Sequence, residues 1–305
     1  MNKPVFDYFK DLHKTDIPQE NGIFLLPDFN PAPVDKYQGG YVFEEKIKNR
    51  RFFCKKWMSN SNFNGIFSAN MYNKIGILTP PVYLIKRTPS GKIQTASQDV
   101  KLFDTCEGIP ASKILDSRLI MLNTHKHNKE WDIIHDKELR RLFLKIMTPE
   151  CLDELIGLFL VDTLRSEIDR HTDNYFLVRP FGAKKFEGIM PIDLEETQVS
   201  CGLEWKDFNS FINMKYTHII PSGIGEYRSH KERIESIMEL LHGGKLSSEN
   251  INLLERALRY DLPKQVKTTY DILPSKLQES EKYAYSSFAQ LWDYNRETLG
   301  KELEL

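Results

Sequence analysis

The pattern of hydrophobic and polar positions divides the chain into a strand-rich first third and a helix-rich remainder. In the first third, short runs of β-branched and aromatic residues are separated by turn residues, which indicates strands. One helix is predicted between the second and third of these strands, because its apolar residues recur at helical spacing. The predicted strands lie at residues 41–43, 51–57, 83–85 and 93–96, and the helix contains Phe63, Ile66, Phe67 and Met71.

Helical spacing dominates after residue 111. Residues 111–147 favour helices, and the sequence Thr-Pro-Glu at 148–150 marks a helix start, because proline is tolerated in a first turn. Residues 151–164 are apolar nearly all round, so that helix is predicted to be buried. Three amphipathic helices are predicted further on, and Pro263 is expected to interrupt the chain between the last two. Their ranges are 226–241, 247–260 and 277–299.

A polar loop with an unusual set of side chains follows the buried helix. Its centre is the sequence DRHTDN, in which Asn174 lies five residues after Asp169. Two short strands, 175–178 and 188–192, are predicted around a polar turn at 182–185. The hairpin that they form would bring Asp193 back beside Asn174.

These groups match the needs of phosphoryl transfer. That reaction uses a carboxylate near the attacking hydroxyl and oxygen ligands that hold Mg²⁺ against the phosphates. Asp169 would supply the carboxylate, and Asn174 and Asp193 would supply the ligands. The alternative is a solvated polar loop in which Asp193 only caps a neighbouring element.

The sequence DRHTDN followed by PID resembles the catalytic and metal-binding loops of the HipA-like and phosphoinositide-kinase-like branch of the protein kinase fold. The resemblance implies an α+β, two-lobed fold, with ATP and Mg²⁺ or Mn²⁺ as cofactors. A small, mostly antiparallel-β N-lobe with one helix would occupy residues 37–104. A large, mainly helical C-lobe would occupy residues 105–305, and residues 1–36 would form an N-terminal extension.

The resemblance also implies a role for each residue of the loop. Asp169 would orient or deprotonate the acceptor hydroxyl, and Asn174 and Asp193 would hold the metal ion. His171 would orient the loop from within. Arg170 would screen charge near the phosphates.

Phosphate contacts are expected from the N-lobe. The sequence FFCKK resembles the strand that carries the phosphate-binding lysine of kinases, which predicts Lys55, or else Lys56 on the opposite face of the strand. Gly39 and Gly40 would let backbone N–H groups approach the phosphates, although paired glycines are also common in hairpin turns. One departure is clear: kinases pair the lysine with a glutamate of the N-lobe helix, and no glutamate occurs at residues 58–98.

Composition narrows the class of protein without identifying it. Forty-two basic and 43 acidic side chains among 305 residues give a formal net charge of −1, so no overall field directs the chain to nucleic acid or to a membrane. The four cysteines are dispersed without a CxxC pair, which indicates neither a zinc site nor a disulfide framework. No apolar run of membrane-spanning length and no classical signal peptide are found. We expect a soluble protein of the bacterial cytoplasm, or an effector or toxin translocated into a host cell.

The expected activity is that of an atypical protein Ser/Thr kinase with a protein substrate. The segment at 197–217, where lipid kinases carry basic residues for a phosphorylated headgroup, has only two lysines against Glu204 and Asp207. This favours a protein hydroxyl over a phosphoinositide. A pseudokinase or nucleotide-binding module, a kinase-fold AMP transferase and a lipid kinase remain as alternatives.

The missing glutamate suggests that activity depends on a polyanionic or protein activator. Two groups of basic residues could be bridged by an inositol polyphosphate-like ligand, the alternative being ordinary surface charge. The first group is Lys46, Lys48, Arg50 and Arg51, and the second is Arg228, His230, Lys231 and Arg233.

Overall fold

The apolar strands of the first third assemble into one six-stranded sheet in the computed structural model of the chain. The structure describes residues 19–20, 23–27, 40–45, 50–55, 60–88, 93–98, 106–115, 131–194, 197, 199, 207–219, 225–273 and 275–305. Within these ranges, no helix combines the length and the apolar character that crossing a membrane requires.

The sheet belongs to a small lobe and has the strand order β1-β2-β5-β6-β4-β3. Its strands pair in antiparallel fashion except for β2 and β5, which are parallel. The strands are β1 (Gln19–Glu20), β2 (Ile23–Pro27), β3 (Gly40–Glu45), β4 (Arg50–Lys55), β5 (Val82–Thr88) and β6 (Ile93–Gln98). The sheet therefore begins within the segment that the sequence analysis assigned to an N-terminal extension.

One helix, α1 (Asn60–Ile75), lies between β4 and β5 in sequence and packs between the sheet and the large lobe. Its apolar side chains belong to the same buried cluster as Leu84 of β5 and the helices of the large lobe. The ring of Phe67 meets the ring of Phe288 edge-on at 5.0 Å between centroids, and Arg256 Nε donates to the carbonyl of Ile75 at 2.9 Å. The helix of the small lobe is therefore anchored to the large lobe by direct contacts.

A three-stranded antiparallel sheet of order β7-β8-β9 lies where the lobes meet. Its strands are β7 (Cys106–Pro110), β8 (Tyr175–Pro180) and β9 (Gly188–Pro191). β7 lies at the predicted start of the large lobe, and β8 and β9 form the predicted hairpin after the DRHTDN loop. The sheet thus pairs the beginning of the large lobe with the hairpin.

The large lobe is mainly helical, as predicted. Residues 207–229 contribute one short helix and one two-stranded ribbon. The elements are α2 (Asp132–His135), α3 (Lys137–Ile146), α4 (Pro149–Leu164), α5 (Phe208–Asn213), β10 (Lys215–Ile219), β11 (Gly225–Ser229), α6 (His230–His242), α7 (Ser248–Arg259), α8 (Leu262–Asp271) and α9 (Ser275–Leu299). Together with the small lobe, they confirm the predicted α+β, two-lobed architecture.

The buried helix α4 is held close to α7 by a glycine. A Cβ atom on Gly157 would lie 2.6 Å from Leu253 Cδ2 and 2.7 Å from Asn250 Oδ1, closer than real Cβ contacts. Thr148 caps the helix start by accepting from Cys151 N, as the Thr-Pro-Glu sequence predicts. These contacts fix the helix that leads into the polar loop.

Two predictions for the last third are wrong, and both concern the place where a helix begins. The helix predicted from residue 226 begins at His230 instead, because residues 225–229 pair as a strand and Ser229 forms a capping box with Glu232. Pro263 does not interrupt the chain; it lies in the first turn of α8, where its missing N–H removes no hydrogen bond.

Candidate functional site

Asp169 lies in the turn that leaves α4, in a half-buried position. Asn174 Nδ2 donates to the Asp169 carbonyl at 2.8 Å and to its carboxylate Oδ2 at 3.1 Å, so the two side chains of the DRHTDN loop are in direct contact. Burial raises the pKa of Asp169, and the nearby carboxylate of Asp193 raises it further, whereas His171, Arg170 and the bond from Asn174 lower it. The carboxylate is thus more basic than an ordinary aspartate.

The hairpin brings Asp193 to this loop. Tyr175 is paired with Pro191 in the register of β8 and β9, and Ile192 N donates to the Asn174 carbonyl at 3.0 Å. Asp193 follows in an exposed position with a φ of 52°, a left-handed conformation that aspartate tolerates better than most residues. Such backbone conformations concentrate at functional sites.

His171 organises the loop from a partly exposed position rather than from the interior. It is the N-terminal cap of the short 3₁₀ helix Thr172–Asn174, where its Nδ1 accepts from Asp173 N at 3.1 Å. Because Nδ1 accepts, any ring proton is on Nε2, which lies 3.7 Å from Asp169 Oδ2. The histidine therefore fixes the turn and also faces the candidate base.

Arg170 points into the protein, contrary to the expectation that it screens charge near the phosphates. Its Nε donates to Asp162 Oδ2 at 2.9 Å, and the residue is 3% exposed. Its Nη1 donates to the carbonyls of Asn174 at 2.6 Å and of Ile192 at 2.8 Å. Arg170 thus supports the segments that carry the candidate metal ligands, because a guanidinium offers several donors in one plane.

Behind the loop lies a buried polar network that the sequence analysis did not identify. The hydroxyl of Tyr72 on α1 donates to Asp162 Oδ1 and accepts from Arg165 Nη1. Glu167 Oε2 lies 3.6 Å from Arg165 Nη1 and 3.5 Å from Arg170 Nη2. One signal in the sequence could have revealed the network: an aspartate inside an otherwise apolar helix needs a charged partner.

For the small-lobe residues predicted to contact phosphates, the structure gives the pairing register of the strands but does not describe every candidate residue. Gly40 pairs with Lys55, and Phe53 pairs with Ser97, which pairs in turn with Val82. Directly opposed residues share a face of a sheet and residues two apart do so too, so Lys55 occupies a position on the face that packs against α1. Gly39 and Lys56 lie outside the described residues.

The donor set near the loop fits Mg²⁺ or Mn²⁺. With Nδ2 of Asn174 committed to Asp169, its Oδ1 is the atom left to meet a cation, and Asp193 adds a carboxylate; hard cations prefer such oxygen donors. The described residues contain no group of three or more His, Cys, Asp or Glu side chains that could hold a metal ion. Two protein ligands still suffice for Mg²⁺, because its other positions are usually filled by water and phosphate oxygens.

The second basic group expected to bind a polyanion is largely committed to the protein itself. His230 is fully buried against Asn295, and Arg233 donates to the Glu167 carbonyl at 2.9 Å from a buried position. Arg228 donates to Ser236, and Lys231 lies 3.9 Å from Glu235. This group therefore does not present four basic side chains to a ligand.

The fold and the loop geometry together define an atypical kinase fold of the HipA-like kind. Solved structures match this fold, among them two that cover most of the chain. One is the Helicobacter pylori proinflammatory kinase CtkA, with a TM-score of 0.62 and 15% identity over 91% of this chain and 96% of the other. The second is HipA of Shewanella oneidensis in its complex with HipB and operator DNA, with a TM-score of 0.50 and 13% identity over 99% of this chain and 73% of the other.

The two comparisons by sequence, with protein-family models and with curated proteins, found no relative. The chain matches no protein-family model and no curated protein. The two solved structures therefore show the fold of this chain, and a statement about its function depends on the site.

Proposed function

We propose that this chain is an atypical protein kinase that transfers the γ-phosphate of ATP to a serine or threonine hydroxyl of a protein. The observation that carries the proposal is the convergence of three groups: Asn174 donates to Asp169, and the hairpin returns Asp193 close enough to raise the pKa of Asp169. A carboxylate for the acceptor and two oxygen ligands for a divalent cation are the protein groups that phosphoryl transfer requires.

In the proposed reaction, the acceptor oxygen attacks the γ-phosphorus, and the bond from that phosphorus to the bridging oxygen of ADP breaks. Asp169 orients the hydroxyl and accepts its proton, and the raised pKa of its carboxylate favours that role. Asn174 and Asp193 would hold Mg²⁺ or Mn²⁺, which neutralises charge on the phosphates when bound.

The phosphates would be held from the small lobe. We assign this role to Lys55 rather than Lys56, because the register gives Lys55 a position on the face that packs against α1. Gly40 is the direct partner of Lys55 in β3, so the glycine pair 39–40 and the lysine would act at one place. The backbone N–H groups of Gly39 and Gly40 would then approach the phosphates.

The substrate class follows from the charge of the segment after Asp193 and from the two neighbours. A segment with few cations favours a protein over a phosphoinositide. One neighbour is a proinflammatory kinase, and the other is HipA of a toxin–antitoxin system in complex with HipB and operator DNA. We propose either a bacterial or a host protein as substrate, and no direct contact with nucleic acid, since the basic and acidic side chains nearly cancel.

The proposal includes regulation by a bound activator, either a polyanion or a protein. A polyanion bridging the two basic groups would lose two of the four contacts inferred for the second group, because His230 and Arg233 are buried. A protein activator is not affected by this argument. Adding inositol hexakisphosphate or a bacterial cell extract to the purified protein separates the two kinds of activator.

The deciding experiment compares ATP labelled at the γ- or the α-phosphate, with Mg²⁺ and with Mn²⁺ and a mixture of candidate acceptor proteins. Label from γ alone supports the kinase, and label from α alone shows AMP transfer. The matched variants are Asp169→Asn, which should abolish transfer, and Asp173→Asn, an exposed change in the same loop that should not. Label from neither position, with ATP still bound, would show a nucleotide-binding module.

A further inference from the structure

Tyr72 connects the helix of the small lobe to the polar loop of the large lobe. Its hydroxyl donates to Asp162 Oδ1 and accepts from Arg165 Nη1 at 3.1 Å, and the Arg165 guanidinium carbon lies 5.1 Å from the ring centroid. The residue is fully buried, and burial raises its pKa, so the hydroxyl keeps its proton and remains a donor. Tyr72 is therefore tied into the large lobe by two hydrogen bonds.

The first of these bonds continues toward both candidate metal-binding segments. The other oxygen of Asp162 accepts from Arg170 Nε at 2.9 Å. Arg170 Nη1 then donates to the carbonyls of Asn174 and Ile192. Three hydrogen bonds thus lead from α1 to the backbone of one candidate ligand and to the residue before the other.

The second bond leads to the opposite side of Asp193. Arg165 Nη1 donates to the Tyr72 hydroxyl, and Arg165 Nη2 donates to the carbonyl of Leu194 at 2.8 Å. The two arginines therefore hold the carbonyls that flank Asp193, whose φ of 52° is a conformation that needs support from its surroundings. Thr79, just after α1, adds a hydrogen bond from its hydroxyl to the Pro191 carbonyl at 2.9 Å.

The sequence of α1 bears on how this helix is coupled to the rest of the site. The helix contains no acidic residue, so it cannot provide the carboxylate that other kinases use to couple this helix to the phosphate-binding lysine. It packs against the sheet on one side, where Leu84 joins its buried cluster, and against Asp162 on the other. Any shift of the sheet and helix would therefore reach the backbone around Asp193 through Tyr72.

We propose that Tyr72 is a positioning residue that couples the small lobe to the metal-binding segments, through Asp162 and Arg170 on one side of Asp193 and through Arg165 on the other. The role of this coupling in metal binding rests on the proposed function, whereas the coupling itself rests on the hydrogen bonds alone. A purely structural role predicts lower stability on mutation and nothing specific at residues 192–194. The coupling predicts a local change in the backbone at those residues and weaker binding of the metal ion.

The test uses Tyr72→Phe, which keeps the ring against Arg165 and removes only the hydroxyl. The matched control is Phe67→Leu, a change in the buried face of the same helix, because the Phe67 ring packs against Phe288 and its side chain can form none of the hydrogen bonds of the network. Hydrogen exchange is measured on peptides that cover residues 189–194, together with the thermal midpoint of each variant. Affinity for ATP is measured with and without Mn²⁺.

We expect Tyr72→Phe to speed exchange at residues 189–194 and to weaken Mn²⁺-dependent ATP binding about tenfold, with metal-free binding unchanged. Phe67→Leu should lower the thermal midpoint at least as much and leave both readouts unchanged. Unchanged exchange in Tyr72→Phe, or an equal change in Phe67→Leu, would overturn the proposal. If the unmodified protein binds no ATP, the proposed function fails, and the exchange comparison alone decides the coupling.

Discussion

The main-chain amide of Ile192 donates to the carbonyl oxygen of Asn174 at 3.0 Å. This bond extends the pairing of β8 with β9 by one step, and Asp193 is the next residue. The separation of Asn174 and Asp193 is therefore set by backbone pairing rather than by flexible side chains. Because Asn174 also donates to the Asp169 carboxylate, the proposed base and the two proposed metal ligands lie close together.

The first prediction separates metal binding from proton transfer. Asp193→Ala should abolish metal-dependent ATP binding, whereas Asp169→Ala should spare binding and remove transfer. The reason is that, of these two aspartates, only Asp193 is proposed as a metal ligand. Isothermal titration with ATP and Mg²⁺ measures the first effect, and incorporation of γ-label measures the second. Equal ATP affinity in Asp193→Ala and the unmodified protein would contradict the assignment.

The control for both changes is Asp173→Ala. Its side chain is 67% exposed and lies in the same loop, next to the candidate ligand Asn174. It contacts His171 only at 3.8 Å, so its loss should change ATP affinity and transfer less than twofold, in keeping with a surface substitution. A large loss at Asp173 would mean that the loop as a whole, rather than the assigned ligand, had been damaged.

The second prediction concerns the lysine pair. Lys55→Met should lower transfer by orders of magnitude and Lys56→Met should change it little, since neighbouring residues of β4 lie on opposite faces of the sheet and only the position of Lys55 is on the face that packs against α1. The measurement is kcat/KM for ATP in both variants, each serving as the other's control. The reverse result would assign the phosphate contact to Lys56, and loss in neither would remove β4 from the site.

Most of the fold and the centre of the site could be predicted from the sequence, because they depend on local signals. The short apolar runs of β8 and β9 and the polar turn between them predict the hairpin that returns Asp193. The capped start of α4 likewise follows from Thr148 and Pro149. Such features are encoded within a few residues of where they occur.

Asp162 in an apolar stretch of α4 signals a buried charge, but the sequence does not show which residues pair with it. Tyr72 and Asp162 are 90 residues apart and meet only after α1 packs on the large lobe. The resemblance places Arg170 near the phosphates, whereas the structure pairs it with Asp162. Helix contacts over such separations depend on tertiary packing, which no periodicity in one segment reveals.

The third prediction follows from the interior position of Arg170. Arg170→Ala would leave the Asp162 carboxylate buried without its guanidinium partner, so unfolding free energy should fall by about 3–5 kcal/mol. Urea unfolding measures the loss. The control is Arg179→Ala, which removes a more exposed ion pair with Glu107 and should cost about 1 kcal/mol or less. A loss at Arg170 no larger than that at Arg179 would contradict the buried pair.

The last prediction concerns Glu167, whose carboxyl group is fully buried. Burial raises its pKa to about 7, and Asp162 also raises it, whereas Arg170, Arg165 and the backbone N–H of Asp169 lower it. Its Oε2 makes no hydrogen bond within the described residues, although the two arginines lie at ion-pair distance. The folded state therefore binds this proton more tightly than the unfolded state, whose value is near 4.5.

The sign of the pH dependence follows from that difference. The contribution of Glu167 to stability is fully present below pH 4.5 and is lost as the pH rises to about 7, where the buried group must ionise. Glu167→Gln keeps the shape and cannot ionise, so the variant should gain stability relative to the unmodified protein across this interval, by on the order of 3 kcal/mol. Urea unfolding of both proteins at several values between pH 4.5 and 8 measures the difference. If the variant instead becomes relatively less stable as the pH rises, the two arginines outweigh burial, and Glu167 is ionised throughout.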